Sequence, residues 1–231
     1  MDKAKDLFES YMLLKFTIPK WGDYTDIALE KMWQLYKSGV AYPLMERDSE
    51  GRRVIFVQPR KLDPKFFTLA DAIHLGVWIA KTILEEEETQ ISGIITVVDQ
   101  SEVTFGHIRL FSVSDIVDFV TMLKISAVGR QKGIFLVSLP SFASFMLEIA
   151  RKALSDKLKK RIHLVDQMED MKLLLPTAIL PLEFGGTVSE ADMMKSFKKV
   201  ADERDDVLKS IQDGVDWERV EFENQSSCSL M

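Results

Sequence analysis

The sequence contains a single cysteine and only three histidines among its 231 residues. One cysteine excludes an intramolecular disulfide and any site built from several thiolates, so the composition favours a reducing, cytoplasmic location. The histidines His74, His107 and His163 lack the short spacing that zinc ligands show, which favours structural or surface roles for them. We therefore expect neither a resident metal ion nor a cofactor.

Other signals are also missing. No apolar run approaches the roughly 20 residues that a membrane span needs, and the charged start, Met1–Asp6, is unlike a secretory signal. There is no G-x-S-x-G elbow, no glycine-rich phosphate loop and no H-E-x-x-H motif. The net charge of −6 argues against a general attraction to nucleic acid or anionic membranes. An anion site, where there is one, must be a local cluster.

What the sequence does contain is enough apolar material, 46% of residues, for one sizeable core. Short apolar runs predict strands at 54–57, 93–99, 134–139 and 162–165. Apolar residues at helical spacing predict helices at 3–16, 25–36, 68–84, 110–127, 140–154, 167–174 and 189–212. The alternation of strands and helices predicts an α/β fold with a mainly parallel sheet.

Two acidic features need interpretation. The run Glu85–Glu88 follows a predicted helix and opposes its dipole, so we interpret it as a break into a solvated loop. Asp99 stands at the carboxyl end of a predicted strand, where ligands of α/β sheets often bind. It is either a catalytic base or a carboxylate that holds the following loop through backbone N–H groups. The polar tail from Asn224 is predicted to be disordered.

Four segments, taken in order, resemble a known family: GIITVVDQSEVTFGH, KGIFLVSLPSF, SDKLKKRIHL and LPLEFGG. They look like the CRAL-TRIO lipid-binding domain, and closest to its tocopherol transfer and retinaldehyde-binding branch. The resemblance covers roughly Gly39 to Val200, and LPLEFGG is its most specific element. It implies a mainly parallel sheet that forms the floor of an apolar pocket, with flanking helices and a mobile gate helix above.

The sequence departs from the family pattern at three places. Ser138 stands where the family has asparagine, Glu102 stands where it usually has glycine, and Val165-Asp166 replaces a common His-Gly pair. The resemblance also implies the domain limits. We expect residues 1–38 to be a remnant of an N-terminal helical domain, 39–200 to be the lipid-binding domain, and 201–231 to be a helix end and tail.

The resemblance assigns the segment from Pro140 to about Leu154 to the gate helix and the helix 110–127 to the opposite wall. The candidate pocket residues are Val97, Phe105, Val113, Ile116, Val117, Val120, Ile134, Leu136, Phe142, Phe145, Met146 and Ile149. For each of them, the alternative is that it packs only against protein.

The resemblance also implies a basic cleft that binds phosphoinositide headgroups beside the gate. Its four cationic positions fall on Arg130, Lys132, Lys157 and Arg161, and all four are basic here. Arginine can hold a phosphate with two hydrogen bonds, whereas lysine supplies a point charge. The alternative is a solvated basic rim without a ligand.

The printed sequence ends in Cys228-Ser229-Leu230-Met231, which has the form of a C-a-a-X box suited to farnesylation. The alternative is chance, since acidic residues rather than a polybasic stretch precede it. One prenyl chain alone anchors weakly, so we expect reversible association at most.

These features predict a carrier rather than an enzyme. The chain would bind a tocopherol-, retinoid-, carotenoid- or phospholipid-like cargo, a lipid or isoprenoid, and transfer it between membranes or to an enzyme. Phosphoinositide headgroups at the basic cleft would promote release. The expected partners are phosphoinositide-containing membranes, bound peripherally and reversibly from the cytoplasm, and no nucleic acid. The alternatives are a phosphoinositide-responsive regulatory module without transport and an enzyme that uses Asp99.

Overall fold

Strands and helices alternate along the described part of the chain, which in this computed structural model comprises residues 26–125 and 130–204. The strands are β1 (Ala41–Pro43), β2 (Arg53–Val57), β3 (Ile94–Asp99), β4 (Gln131–Val137) and β5 (Ile162–Val165). The helices are α1 (Asp26–Lys37), α2 (Leu69–Leu84), α3 (Glu87–Ser92), α4 (Phe105–Ile108), α5 (Val113–Ile125), α6 (Ser144–Ala153), α7 (Asp156–Lys159), α8 (Met168–Met171) and α9 (Glu190–Glu203). Within these ranges, no helix is both long and apolar enough to span a bilayer.

The five strands form one sheet in the order β1-β2-β3-β4-β5. Strands β2 to β5 run parallel to one another, and only β1 is antiparallel to its neighbour. The predicted α/β fold with a mainly parallel sheet and flanking helices is therefore confirmed. Strand β1 was not predicted from the sequence, because three residues that end in a proline are too short to show a strand periodicity.

The strand register divides the sheet into two unlike faces, because residues paired across parallel strands point to the same side. On the packed face, the side chains that are at most 8% exposed are Val54, Phe56, Ile95, Val97, Asp99, Val137 and Val165. Toward the β5 edge this face is less covered, since Phe135 is half-buried and His163 is exposed. On the open face, Ile94 at the start of β3 is buried, and the side chains that are half-buried or exposed are Ile55, Val57, Thr96, Val98, Ile134, Leu136, Ile162 and Leu164.

The helices between the parallel strands form one layer. Right-handed connections in this strand order carry α2, α5 and α6 to the same side of the sheet. Ile73 of α2 packs with Met122 of α5, and α6 packs against α5. The packed face is covered by a later segment, since the rings of Phe56 and Phe184 lie 5.3 Å apart. The layer of α2, α5 and α6 therefore lies on the side of the open face.

An aromatic cluster attaches α1 and α9 to this layer. Trp78 of α2 makes edge contacts with Trp33 and Tyr36 of α1 and with Phe197 of α9, at centroid distances of 4.8, 5.2 and 5.2 Å. Burial raises the pKa of the Tyr36 hydroxyl above its ordinary value. The hydroxyl donates to the carbonyl oxygen of Met194 at 2.6 Å, which satisfies this buried polar group.

The glycines of LPLEFGG are required by the backbone. Gly185 has a φ of 89°, a region that favours glycine. A Cβ on Gly186 would lie 1.6 Å from the carbonyl oxygen of Leu180, so only glycine permits this close approach. The approach lets Pro181 pair with Val188 and seats Phe184 against the sheet. The two glycines of the motif are thus needed for the turn that places Phe184 on the packed face.

The prediction that Glu85–Glu88 forms a solvated loop is wrong. Glu86 precedes α3 and accepts from Arg47 at 2.7 Å and from Arg53 at 3.2 Å, while Glu87 and Glu88 form the first turn of the helix. Carboxylates are unfavourable at the end of one helix but favourable at the start of the next. The acidic run therefore begins α3, and its charge is balanced by arginines from the β1–β2 region.

Several helix limits differ from their predictions. Helix α5 begins at Val113 rather than at 110, and α6 begins at Ser144 after a 3₁₀ turn at Ser141–Ala143. Only Met168–Met171 of the predicted helix 167–174 is α-helical. The predicted helix at 3–16, the chain beyond 204 with its tail, and Cys228 lie outside the described residues. The domain limits at 38 and 200 stay predictions.

Candidate functional site

The open face supplies an apolar floor. Ile134 and Leu136 lie on it, half-buried, at the centre of the sheet. Val97 does not: the register turns it to the packed face, where it is 0% exposed within the main core. We correct its assignment accordingly, because a side chain enclosed on that face cannot line a space on the other one.

Helix α6 packs against α5 but keeps its apolar side partly accessible. None of its residues is buried, although it is strongly amphipathic. Phe145 is 52% exposed, and Phe142, Met146 and Ile149 are half-buried. An amphipathic helix ordinarily buries its apolar stripe, so α6 lies over the sheet without being packed into the core.

Helix α5 divides its candidate residues between two environments. Ile116 and Val120 are buried, at 6% and 2% exposure, and so they act as core residues here. Val113 and Val117 are exposed, at 61% and 40%. Part of the apolar stripe of α5 is therefore packed against protein, and part of it is exposed. Helix α5 lies in the same layer as α6.

Two phenylalanines connect the loop after β3 with the start of α6. The rings of Phe105 and Phe142 stack with centroids 4.4 Å apart and planes inclined by 26°. Phe105 is otherwise exposed, at 63%. This Phe105–Phe142 ring stack joins the 3₁₀ turn that precedes α6 to helix α4, which lies between β3 and α5.

Sequence reasoning missed part of the floor. Ile55, Val57, Val98, Ile162 and Leu164 share the open face with Ile134 and Leu136. Their apolar character was visible, but their side was not, because β2, β3 and β4 carry apolar residues on both faces and β5 is only four residues long. The signal that places them is the strand register, which the sequence does not show.

The two non-glycine residues with positive φ among those described lie where the family pattern differs. Glu102, with a φ of 61°, follows β3, and Ser138, with a φ of 54°, follows β4. Glycine and asparagine tolerate this region better than other residues, which explains why the family pattern has them there. Ser138 compensates by donating to the carbonyl oxygen of Asp166 at 3.2 Å.

Three of the four predicted cations lie at the amino edge of the sheet, and the fourth precedes it in sequence. Arg130 and Lys132 flank the start of β4, Arg161 immediately precedes the parallel neighbour β5, and Lys157 lies in α7 just before it. The Arg161 guanidinium donates to the carbonyl oxygen of Gln131, which ties the two segments together. We call Arg130, Lys132, Lys157 and Arg161 the basic cluster.

The charge of the basic cluster is not neutralised within the described residues. Arg130 donates to the carbonyl oxygen of Ile91 at 3.0 Å, and neither it nor the other three cations forms an ion pair there. Gly93, just before β3, allows the backbone of Arg130 to approach closely, since a Cβ on Gly93 would lie 2.4 Å from the carbonyl oxygen of Arg130. Such a cluster can accept an anion of multiple charge.

Asp99 holds its loop, as one of its two interpretations predicted. It is 2% exposed, forms an ion pair with Arg60 and accepts from the backbone N–H of Ser101 at 3.1 Å. The Ser101 hydroxyl donates to the same carboxylate at 2.7 Å. A buried carboxylate with these partners fits the loop-holding interpretation better than the catalytic one.

His107 also has a structural position. Its Nδ1 accepts from the backbone N–H of Thr104 at 3.0 Å, and its Nε2 lies 2.9 Å from the carbonyl oxygen of Leu62. In the parts of the chain at 26–125 and 130–204, no three His, Cys, Asp or Glu side chains are grouped as metal ligands would be.

A shallow depression of about 370 Å³ lies elsewhere, between α1 and α9. Its lining includes Tyr36, Lys37, Met194 and Lys195. It shares no residue with the open face or with the basic cluster, so it is not part of the site described above.

Comparison with known proteins gives the family. The model of the CRAL/TRIO domain matches residues 37–186. Clavesin-2 of Rattus norvegicus is 27% identical over 161 residues, covering 69% of this chain and 49% of that protein. Clavesin-1 of Xenopus laevis is 27% identical over 151 residues, covering 65% and 46%. The chain thus spans about half the length of the curated relatives it matches.

A crystal structure of Sfh5 aligns with a TM-score of 0.48 and 14% identity, over 67% of this chain and 57% of that one. The expected closeness to the tocopherol transfer and retinaldehyde-binding branch stays a prediction. The match of the family model extends over most of the described sheet and both glycines of LPLEFGG. The chain belongs to the CRAL/TRIO domain family.

Proposed function

We propose that the chain binds a hydrophobic small molecule between the open face and α6 and transfers it between membranes. The observation that carries this proposal is the half-buried apolar floor at Ile134 and Leu136, together with an amphipathic helix that has no buried residue. Covering such apolar surface with a lipid is worth about 25 cal/mol per Å². A hydrophobic cargo would remove this apolar surface from water, which the protein's own side chains do only in part.

The open face favours a largely apolar cargo with few polar groups. Its side chains are aliphatic apart from Thr96 and the polar residues at its amino end, where the Gln131 amide donates to the Thr96 hydroxyl at 3.0 Å. Binding sites for small molecules commonly combine such a lining with one or two polar groups that fix orientation. Tocopherol-, retinoid-, carotenoid- and phospholipid-like molecules all meet this description.

Native mass spectrometry of the purified protein tests the proposal, followed by solvent extraction and identification of what is released. We expect one lipid or isoprenoid for each protein molecule. A well-folded protein that is empty and takes up no lipid from mixed vesicles would contradict transport. That result would favour the second candidate, a phosphoinositide-responsive regulatory module, which the exposed basic cluster supports without any cargo.

Phosphoinositide headgroups at the basic cluster would promote release of the cargo. Lys157 and Arg161 follow the end of α6 within a few residues, so an anion bound there acts on the segment that carries α6. A ligand shifts a conformational equilibrium only by binding one state more tightly than the other. We infer that the headgroup binds the state in which α6 has moved away from the sheet.

Replacing Lys157 and Arg161 with alanine is expected to slow delivery and to leave cargo binding unchanged. The expected loss is about tenfold in transfer rate to vesicles that contain phosphoinositides, since two of four cations are removed. Transfer between vesicles labelled with a fluorescent lipid measures the rate. The matched control is the double replacement of Lys195 and Lys199, exposed lysines of α9, which removes the same charge elsewhere. Equal loss of binding and delivery would contradict this division.

The proposed location is the cytoplasm, with transient membrane association. Farnesylation of Cys228 would strengthen that association, though one prenyl chain gives only weak, reversible binding. The intact mass of the protein from a eukaryotic host decides the question: we expect the mass of one farnesyl group added to the processed chain. An unmodified terminus would remove the prenyl group from the proposal.

A further inference from the structure

Helix α9 carries the chain from the carboxyl edge of the sheet to its amino edge. At the start of α9, Glu190 accepts from Gln58 at 2.8 Å and pairs with Lys61, and both of these residues follow the carboxyl end of β2. Behind its end, the Arg204 guanidinium donates to the carbonyl oxygen of Thr82 at 2.7 Å, close to the end of α2. Helix α2 leads through α3 to the start of β3. The chain therefore leaves its described part at the edge where most of the basic cluster lies.

The sequence that follows α9 is rich in carboxylates and apolar side chains. We call residues Asp213–Glu223, DGVDWERVEFE, the acidic segment; it contains five acidic residues, one arginine and four large apolar residues, each beside a carboxylate. Eight residues separate it from Arg204, and a chain of this length can span about 30 Å. Strands β2 and β5 are three strand spacings apart, which is about 15 Å. The acidic segment can therefore reach the basic cluster of its own chain.

We propose that the acidic segment docks on the basic cluster of the same chain and competes there with an anionic headgroup. The four cations of the cluster form no ion pair within 26–125 and 130–204. Other arginines of the amino edge are already neutralised, since Arg47 and Arg53 both pair with Glu86. Complementary charge therefore selects the basic cluster as the docking surface. The competition rests on the proposed function, whereas the docking does not.

The amino edge presents both kinds of group that the acidic segment needs. Arg130 and Lys157 are exposed cations. Ile91, whose carbonyl oxygen accepts from Arg130 at 3.0 Å, and Met45, whose carbonyl oxygen accepts from Arg53 at 3.1 Å, are exposed apolar residues. Binding within one chain has an effective concentration of about a millimolar, so contacts that are individually weak on a surface are sufficient.

Carbodiimide coupling of the full chain tests the docking, because this reagent joins a carboxylate to a lysine amine only when the two are in contact. Peptide mass spectrometry should find links from the acidic segment to Lys132 and Lys157 within single chains. Arg130→Glu reverses an exposed charge but keeps both lysines, and should lower the yield of these links at least about fivefold. The matched control Lys199→Glu reverses an exposed charge of α9 and should leave the yield unchanged. Circular dichroism confirms that both variants fold.

Other coupling results overturn the docking. Absence of links to the basic cluster excludes it, as does a yield that Arg130→Glu leaves unchanged. Links that go mainly to Lys195 and Lys199 would place the acidic segment along α9 instead. In a mixture of unlabelled and ¹⁵N-labelled protein, links between the two kinds of chain would place it on a second copy.

Binding to vesicles that contain phosphoinositides tests the competition. The variant E221Q/E223Q should bind these vesicles about threefold more tightly than E169Q/E183Q, which removes the same charge from exposed glutamates outside the acidic segment. Equal binding by the two variants excludes the competition. Chains that form the links but bind no such vesicles would overturn the headgroup part of the proposed function, and the competition with it, while supporting the docking.

Discussion

The variant Leu136→Glu is expected to lose its cargo. Leu136 lies on the open face between Val98 of β3 and Leu164 of β5, where a bound lipid would cover it. A carboxylate enclosed there without a partner costs several kcal/mol, which lowers cargo affinity by about a hundredfold or more. The fold should persist, because Leu136 is only partly buried, unlike the neighbouring Val137 of the packed face. Native mass spectrometry measures loading, and a thermal melt measures folding.

Two matched variants show that the effect belongs to the open face. Leu173→Glu places the same charge on a leucine that is 86% exposed, and we expect neither loading nor stability to change. Val137→Glu places it one residue further along β4, on the packed face at 0% exposure, and should prevent folding. Wild-type loading by a folded Leu136→Glu protein would contradict a cargo on this floor.

Asp99→Ala is expected to lower the free energy of unfolding by about 3–5 kcal/mol, because it leaves the largely buried guanidinium of Arg60 without its ion-pair partner. Asp99 is 2% exposed and Arg60 only 19%, so water compensates little of the lost ion pair. The loop after β3 also loses the two hydrogen bonds from Ser101. Urea denaturation gives the free energy.

A second acidic neighbour of Arg60, Glu102, provides a control for the Asp99 variant. Glu102 lies 4.0 Å from the Arg60 guanidinium but is 80% exposed, so Glu102→Ala should change stability by less than about 1 kcal/mol. An Asp99→Ala protein as stable as the wild type would show that Asp99 does not hold the loop. In that case, the interpretation of Asp99 as a reactive group would need to be reopened.

The fold was predictable from the sequence because the local signals are strong. The runs around Val54, Ile94 and Ile134 are apolar and bounded by turn residues, and each is a strand of the sheet. The side on which a residue lies was not predictable. Val97 and Ile134 both belong to continuous apolar runs, and only the pairing of β3 with β4 turns one to the packed face and the other to the open face.

The candidate site was predictable to a different degree in its two parts. The basic cluster was predicted from the family resemblance. Topology explains why Arg130 and Arg161 come together although they are distant in sequence, since residues before two adjacent parallel strands meet at one edge. The apolar stripe of α5 was seen, but not that Ile116 is buried while Val117 is exposed. That distinction depends on which neighbours the helix meets, and local spacing does not contain it.

The Phe105–Phe142 ring stack has a consequence for the rate at which α6 can move. Phe142 lies just before α6 and Phe105 in α4, so lifting α6 by its leading end separates the two rings. An aromatic pair is worth about 1 kcal/mol beyond its buried area, which corresponds to an opening about fivefold slower. The residence time of a bound molecule would then be set partly by a contact that need not touch it, and Phe105→Ala would shorten that time while leaving the walls of the space intact.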